Sequence, residues 1–282
     1  MIYHELFGQH LRLGNFAFKI AWSVRMKHIH NLDTVYPDYY LWKYLETSPL
    51  IYNRTQGEIL RPINWEWSLQ EQVLLEQSVL SREHSIVALN YFLQSQNWFD
   101  SSKKQVKEFF TFKEEYVDQV KQKYSYIFDK ERPIAIGLRL GDFIGHGDFY
   151  QIPYNWYTKT LEENFPYWKE RPVVVFSDDI DKAKTIFAEY PFYYPDPNNT
   201  HTHSENFKHY HSEKAAEQFV LGTLIDDWII GNSTFSWWQA WLGNYNSVEG
   251  QVFHSGKLFS PTGNMKHVDI THYYPFKWNL IE

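Results

Sequence analysis

Ile225-Asp226-Asp227-Trp228-Ile229-Ile230-Gly231-Asn232-Ser233-Thr234-Phe235-Ser236-Trp237-Trp238-Gln239-Ala240-Trp241-Leu242-Gly243 decides how the rest of the chain is read. Trp228 to Ile230 is a short apolar run of the kind that makes a buried strand. Asn232, Ser233 and Thr234 are favoured helix N-cap residues. No helix breaker stands between Phe235 and Leu242, and Gly243 occupies the place of a C′ glycine. The stretch therefore predicts strand, tight turn, helix. Such a junction turns free backbone N–H groups and the positive helix end toward one point, with the hydroxyls of Ser233, Thr234 and Ser236 close by. An anion, most naturally a phosphate, is held at a point like that. A capped, aromatic-rich core helix gives the same pattern, because strand-to-helix junctions in α/β chains generally carry a cap.

Working outward, 282 residues suffice for two domains or one large one, and 43% hydrophobic against 22% charged residues provides for a sizeable core. Aromatic residues make up 19% of the chain, and composition alone does not divide them between core and a sugar-stacking surface. A net charge of −7, with no basic stretch interleaved with aromatics, argues against a nucleic-acid partner. The absence of cysteine excludes disulfides, thiolate catalysis and Cys-based zinc sites, and fits a reducing compartment. Met1 to Glu5 lacks the basic and apolar regions of a signal peptide, and no run of about 18 apolar residues suggests a transmembrane segment. The expectation is a soluble, cytoplasmic protein, in which the sequons at Asn53, Asn198 and Asn232 are chance matches.

Along the chain, Gly14-Asn15 opens a helical pattern with Phe16, Ile20 and Val24 on one face. A ligand can approach the backbone closely at such a start, although a Gly/Asn turn and cap explains it equally well. Helices are expected near 69–80 and over 101–124. After Arg132-Pro133, Ile134 to Leu140 reads as a strand that ends in Arg139, Gly141-Asp142 and a glycine-rich loop. An arginine delivered at the end of a buried strand needs a partner. Asp142 is the local one; a diphosphate is the functional one, matched by the planar guanidinium fork. One such contact is worth roughly 4 kcal/mol before desolvation at an effective dielectric near 20. A Pro153-initiated helix, a strand at Val173–Phe176 ending in Ser177-Asp178-Asp179, a further helix, and a helix around 213–223 follow. Alternating strands and helices indicate a parallel, doubly wound sheet whose ligands lie beyond the carboxyl ends of the strands. Arg139, Asp178 and Asn232 each end or follow a strand, so they converge on one crevice.

The string Asn232-Ser233-Thr234-Phe235-Ser236-Trp237-Trp238, with Ala240 and Leu242 after it, resembles the C-terminal motif of the α-1,2-fucosyltransferase family, which uses GDP-fucose. Arg12-Leu13-Gly14-Asn15 with Phe18 is similar to the family's Gly-x-Leu-Gly-Asn-Gln-x-Phe element, with Leu11 for the first Gly and Phe16 for the Gln. Gly137-Leu138-Arg139-Leu140-Gly141-Asp142 resembles its His-x-Arg-Arg-Gly-Asp motif. Arg139 and Asp142 align there, Gly137 replaces the His, and Leu140 replaces the second Arg, as in the related protein O-fucosyltransferases. The tail from Phe259-Ser260-Pro261 through Asp269 to Tyr274-Pro275 and Trp278 is similar to the family's ending.

The resemblance implies an α/β fold of GT-B type, two Rossmann-type domains with a donor cleft between them. The expected domains are 1–130, carrying the Leu-Gly-Asn element and the acceptor side, and 131–282, binding the nucleotide sugar. It also implies an inverting transfer of fucose from GDP-fucose to a glycan hydroxyl, without cofactor or metal. Arg139 and Asn15 then serve the leaving diphosphate, with Gly14, Asn232, Ser233, Thr234, Phe235 and Ser236 as donor contacts. Asp178 or Asp227 is the candidate to accept from guanine, and Asp142 is the candidate general base. Three rivals stand beside this reading: a metal-dependent glycosyltransferase, a non-catalytic sugar-nucleotide or glycan-binding protein, and a transferase with a changed donor. Asp179-Ile180-Asp181 has the Asp-x-Asp form of a manganese-dependent glycosyltransferase. The pairs His201/His203 and His209/His211 have metal-ligand spacing, although solvated imidazoles in a polar loop are the commoner case. Gly137 in place of His favours a changed donor or a non-catalytic sugar-nucleotide-binding protein.

Overall fold

The computed structural model describes residues 1–4, 12–52, 57–60, 69–83, 85–88, 93–195 and 213–282. The histidine pairs at 201–211, Gly8 to Leu11, and the sequons at Asn53 and Asn198 lie outside the described residues. The chain divides into two compact units. One joins Met1–Lys113 to Val268–Phe276, and the other joins Glu114–His267 to Lys277–Glu282.

The first unit contains β1 (Ile2–His4), α1 (Leu13–His30), β2 (Thr34–Tyr36), β3 (Leu50–Ile51), β4 (Glu58–Leu60), α2 (Leu69–Leu80), β5 (Ile86–Ala88) and α3 (Lys103–Phe109). Its strands form one parallel sheet in the order β3-β2-β1-β5-β4. Helix α1 is not amphipathic along its length: every residue from Leu13 to Ser23 is buried, so the sequence pattern of a single apolar face describes only part of it. Phe16 packs edge-on against Tyr36, Tyr39 and Trp42. Asn31 ends the helix in the left-handed conformation and donates its N–H to the Lys27 carbonyl at 3.0 Å.

The helix expected over 101–124 is two helices, α3 and α4 (Glu114–Lys123). The backbone at Thr111 to Lys113 bonds to Tyr44 and Glu46 instead of continuing the helical ladder, with both N···O distances at 2.9 Å. The division between units also falls here, earlier than Arg132-Pro133. Helices α4 and α5 (Ser125–Phe128) belong to the second unit, where Lys123 and Tyr124 both donate to Glu217 Oε1, at 2.7 and 2.6 Å.

The second unit continues with β6 (Ile134–Leu138), α6 (Tyr154–Asn164), β7 (Val173–Ser177), α7 (Ile180–Ile186), α8 (Glu213–Thr223), β8 (Asp227–Ile230), α9 (Thr234–Gly243), β9 (Val252–His254) and β10 (Asn279–Leu280). The sheet order is β10-β9-β8-β6-β7, and every pair is parallel. All residues of β6, β7 and β8 are buried, as expected of strands covered on both faces. Because the strands are parallel, Leu138, Ser177, Ile230 and His254 all end at one edge. The aromatic excess of this unit is largely core: Trp237, Trp238 and Trp241 of α9 are buried, and Trp237 meets the ring of Trp278.

Gly243 is the last helical residue, and Asn244 after it stays right-handed, so it is not the left-handed glycine expected from sequence. Its reason is close approach: a Cβ there would lie 2.0 Å from the Ile225 carbonyl oxygen. Ala is favoured over Gly within a helix by about 1 kcal/mol. Overpacking against fixed backbone costs about 1–3 kcal/mol and outweighs it. Gly243→Ala is expected to lower the urea midpoint without changing the slope; a raised midpoint would mean that the helix end shifts freely.

Candidate active site

Three loops leave the carboxyl edge of the second unit's sheet after β6, β7 and β8, and each carries a residue singled out in the sequence. Arg139 follows β6 directly. Its side chain is 12% exposed, and it forms ion pairs with Asp142 and, at 3.0 Å, with Asp178. The guanidinium also lies over the ring of Phe143, 5.2 Å from its centroid. Asp178 follows β7 and is fixed on its other oxygen by the Leu140 N–H at 2.9 Å. The local partner expected for Arg139, Asp142, is thus in place. The guanidinium stands at the ligand edge of the sheet already flanked by two carboxylates. The trio carries net charge −1, so an incoming dianion must displace a carboxylate or be balanced from elsewhere.

The start of α9 lies at the same edge. Ser233 is its N-cap in extended conformation, and its hydroxyl makes no capping hydrogen bond. Ser233, Thr234 and Phe235 are partly exposed, while Ser236 is buried. The helix start lies against β6: a Cβ built on Gly137 would fall 2.4 Å from Ser236 Oγ. Gly231, which leads into the turn, donates its N–H to the Gly137 carbonyl at 3.0 Å. The positive end of α9 and the strand that delivers Arg139 are therefore packed together within the same unit.

Two expected donor contacts are placed otherwise. Asp227 begins β8 rather than ending it, and in register it faces Ile134 at the start of β6. It is therefore at the amino edge of the sheet, about 16 Å of extended chain from Asn232. It is fully buried between Arg171 and Arg132, the latter at 2.9 Å, and it accepts from Gln251 N–H at 2.7 Å. Asp227 therefore lies at the opposite edge of the sheet from Arg139 and the start of α9. Asn232 is buried at the right edge, but its Nδ2 donates to the carbonyls of Tyr150 at 2.9 Å and Leu258 at 3.3 Å. Both amide protons are thereby used within the protein.

Asp179 caps the next helix, with Oδ1 accepting from Lys182 N–H at 3.0 Å. One carboxylate of the Asp-x-Asp pair thus has a structural duty. In the first unit, Gly14 and Asn15 are buried in the first turn of α1, and Asn15 Oδ1 accepts from Gln94 Nε2 at 2.8 Å.

Several supporting residues were not singled out from the sequence. Phe143 stacks on Phe149 with centroids 3.8 Å apart, and Phe149 bridges Phe259 by backbone pairing. His254 ends β9 beside Ile230 and accepts from Gly256 N–H on Nδ1 at 3.1 Å. Phe143, Phe149 and Phe259 are visible in the sequence only as aromatics flanking a glycine-rich loop and Pro261, and nothing in their spacing pairs them.

No family model matches the chain. Among curated proteins it is 26% identical over 161 residues to the O-antigen biosynthesis glycosyltransferase WbnK of Escherichia coli, covering 55% of this chain and 50% of that protein. It is 25% identical over 197 residues to an Escherichia coli alpha-1,2-colitosyltransferase, covering 68% of this chain and 61% of that one. By sequence the chain is similar to glycosyltransferases. It spans between half and two thirds of the length of these relatives.

Among solved structures, NodZ alpha-1,6-fucosyltransferase, a Bradyrhizobium protein co-crystallised with GDP, matches at TM-score 0.53 and 12% identity, over 86% of this chain and 91% of that one. A mutant of Arabidopsis thaliana FUT1 in complex with GDP matches at TM-score 0.55 and 12% identity, over 100% of this chain and 76% of that one. At such identities the likeness speaks for the fold, which is GT-B-like, as expected from the motifs. No helix of the described residues is long and apolar enough to cross a membrane.

Burial pushes the His254 imidazole down to about 4, so the folded protein holds it neutral. The unfolded chain, with the ordinary value near 6.5, takes up that proton first. Stability is therefore fully present above about pH 6.5 and is lost as pH falls toward 4, by an amount on the order of 3 kcal/mol. His254→Gln is expected to flatten the fall in melting temperature between pH 6.5 and 4; an equally steep fall would place the acid sensitivity elsewhere.

Proposed function

We infer that the chain is a glycosyltransferase that takes a GDP-linked 6-deoxyhexose, with L-fucose the leading candidate, and transfers it to a hydroxyl of an acceptor glycan. The observation that carries this reading is that the strand delivering Arg139 packs against the first turn of α9, whose N-cap Ser233 makes no side-chain capping bond, at the carboxyl edge of one parallel sheet. Support also comes from relatives named as glycosyltransferases and from a GT-B-like fold. A leaving diphosphate gains charge as the glycosidic bond breaks. Cationic groups aimed at it therefore lower the barrier as well as binding the donor.

In this reading Arg139 turns from Asp142 to the β-phosphate, and the amides at the start of α9, with Ser233, Thr234 and Ser236, hold the remaining oxygens. Asp178 fixes the guanidinium rather than meeting guanine. Asp142, released from Arg139, takes the proton of the incoming hydroxyl as the sugar inverts, and an α-1,2 linkage is the expected product. Arg139 and the helix end supply the positive charge, so the chemistry needs no metal. The similarity to a protein named alpha-1,2-colitosyltransferase, together with Gly137 at the family's His position, favours one second reading. There the donor is the 3-deoxy analogue of fucose, for which the same phosphate contacts serve.

The test is thermal stabilisation across a panel of nucleotides and nucleotide sugars, followed by product analysis. GDP and a GDP-6-deoxyhexose should raise the melting temperature, UDP-sugars should not, and Arg139→Ala should weaken GDP binding at least tenfold. Asp142→Asn should tighten GDP binding severalfold, since it removes a competing anion, while turnover falls on the order of a hundredfold. The product anomer should be opposite to that of the donor. Stabilisation by UDP-sugars alone would overturn the donor assignment, and unchanged turnover in Asp142→Asn would remove the base.

A further inference from the structure

Asn232 opens the string that most resembles a donor-binding motif, yet its amide protons point into the protein. They join two backbone carbonyls from different loops, Tyr150 at 2.9 Å and Leu258 at 3.3 Å. Those loops are already paired at the same level: Tyr150 N–H donates to the Leu258 carbonyl at 3.0 Å, and Phe149 bridges Phe259 in antiparallel fashion. The paired segment presents Phe149, whose ring is nearly parallel to that of Phe143, at 6° and 3.8 Å. Phe143 in turn lies under the Arg139 guanidinium. A continuous series of contacts thus runs from the first turn residue before α9 to the cation on the neighbouring strand.

We propose that Asn232 is a positioning residue that aligns Arg139 with the mouth of α9 by clamping the Tyr150–Leu258 pairing behind the Phe149–Phe143 stack. The amide is suited to this. One –NH2 group meets two carbonyl acceptors, a pair of contacts that an aspartate at the same place would turn into repulsion and a serine would not reach. The Leu258 carbonyl keeps the Tyr150 N–H without this amide, so the donor lost would be that of the Tyr150 carbonyl. A cation on an aromatic face gains most when desolvated, and the stack is what keeps that face in place. The clamp also makes the two cationic elements one assembly: a shift of the turn before α9 moves the plate on which Arg139 rests.

The inference rests on the diphosphate reading of Arg139, and its test separates the two. GDP affinity is measured by calorimetry for wild type, Asn232→Ala, Arg139→Ala and the double variant, together with Phe149→Leu, which leaves the Asn232 hydrogen bonds intact but cuts the stack. Asn232→Ala and Phe149→Leu are each expected to weaken GDP binding about tenfold. Neither loss should exceed twofold in an Arg139→Ala background. An equal loss in both backgrounds would make Asn232 a direct ligand and overturn the positioning role. Wild-type affinity in Phe149→Leu would overturn it by the second route, even if Asn232→Ala fails to fold. Wild-type affinity in Arg139→Ala would instead defeat the diphosphate reading itself.

Discussion

A guanidinium at the rim of a buried parallel sheet must have its charge met, and the way Arg139 is met organises the second unit. Two carboxylates flank it, but they are not equivalent. Asp178 is 8% exposed and pinned by the Leu140 N–H, whereas Asp142 is 29% exposed on a short turn. Displacing Asp178 would strand a buried carboxylate and a backbone donor together. Displacing Asp142 delivers its carboxylate toward solvent. Under the diphosphate reading the asymmetry sets which partner yields to an incoming anion, and it frees the more exposed one for the proposed role as base. It also implies a cost: any anion that binds Arg139 competes with an internal one, so affinity reflects a difference between two ion pairs.

A second buried carboxylate shows the opposite design. Asp227 is fully buried at the amino edge, with two arginines and a backbone N–H upon it. Nothing there resembles the displaceable Asp142. The two ends of one sheet thus use the same chemical pair for different ends. At the amino edge, ion pairs close the sheet; at the carboxyl edge, an incompletely sealed one leaves a cation within reach of a ligand. Parallel topology makes this division possible, because it gathers all strand ends of one kind at one edge.

How much of this was legible in the sequence varied with the range of the interaction. The strands at 134, 173 and 228 and the helices at 154, 213 and 234 were readable, because apolar runs bounded by Gly, Pro and Asp or Ser report local structure. Arg139 at a strand end and the start of α9 after β8 were readable at one sheet edge for the same reason. Asp227 was misplaced because a carboxylate next to a strand looks alike at either end, and only register tells which. The single helix over 101–124 failed at Thr111 to Lys113, whose backbone partners lie far away in sequence, at Tyr44 and Glu46. Asn232 was read as a ligand since a favoured cap residue and a bridging amide have the same letter. The Phe143–Phe149–Phe259 arrangement left no trace in spacing at all.

Gly137 brings these threads to one point. In the resembled motif a histidine stands there, and its loss reads at first as missing function. The packing gives a reason for the glycine. A Cβ at 137 would strike Ser236, so any side chain at this position would push the first turn of α9 away from β6. Glycine instead lets the helix end close onto the strand. A helix N-terminus behaves as roughly half a positive charge. At a few Å and an effective dielectric near 20 that is worth about 2 kcal/mol toward a unit negative charge, comparable to a protonated imidazole that must also be desolvated. Unlike an imidazole, the helix end needs no proton and does not titrate. Under the diphosphate reading the substitution therefore exchanges a pH-dependent contact for a permanent one, and binding of the nucleotide should owe little to histidine ionisation.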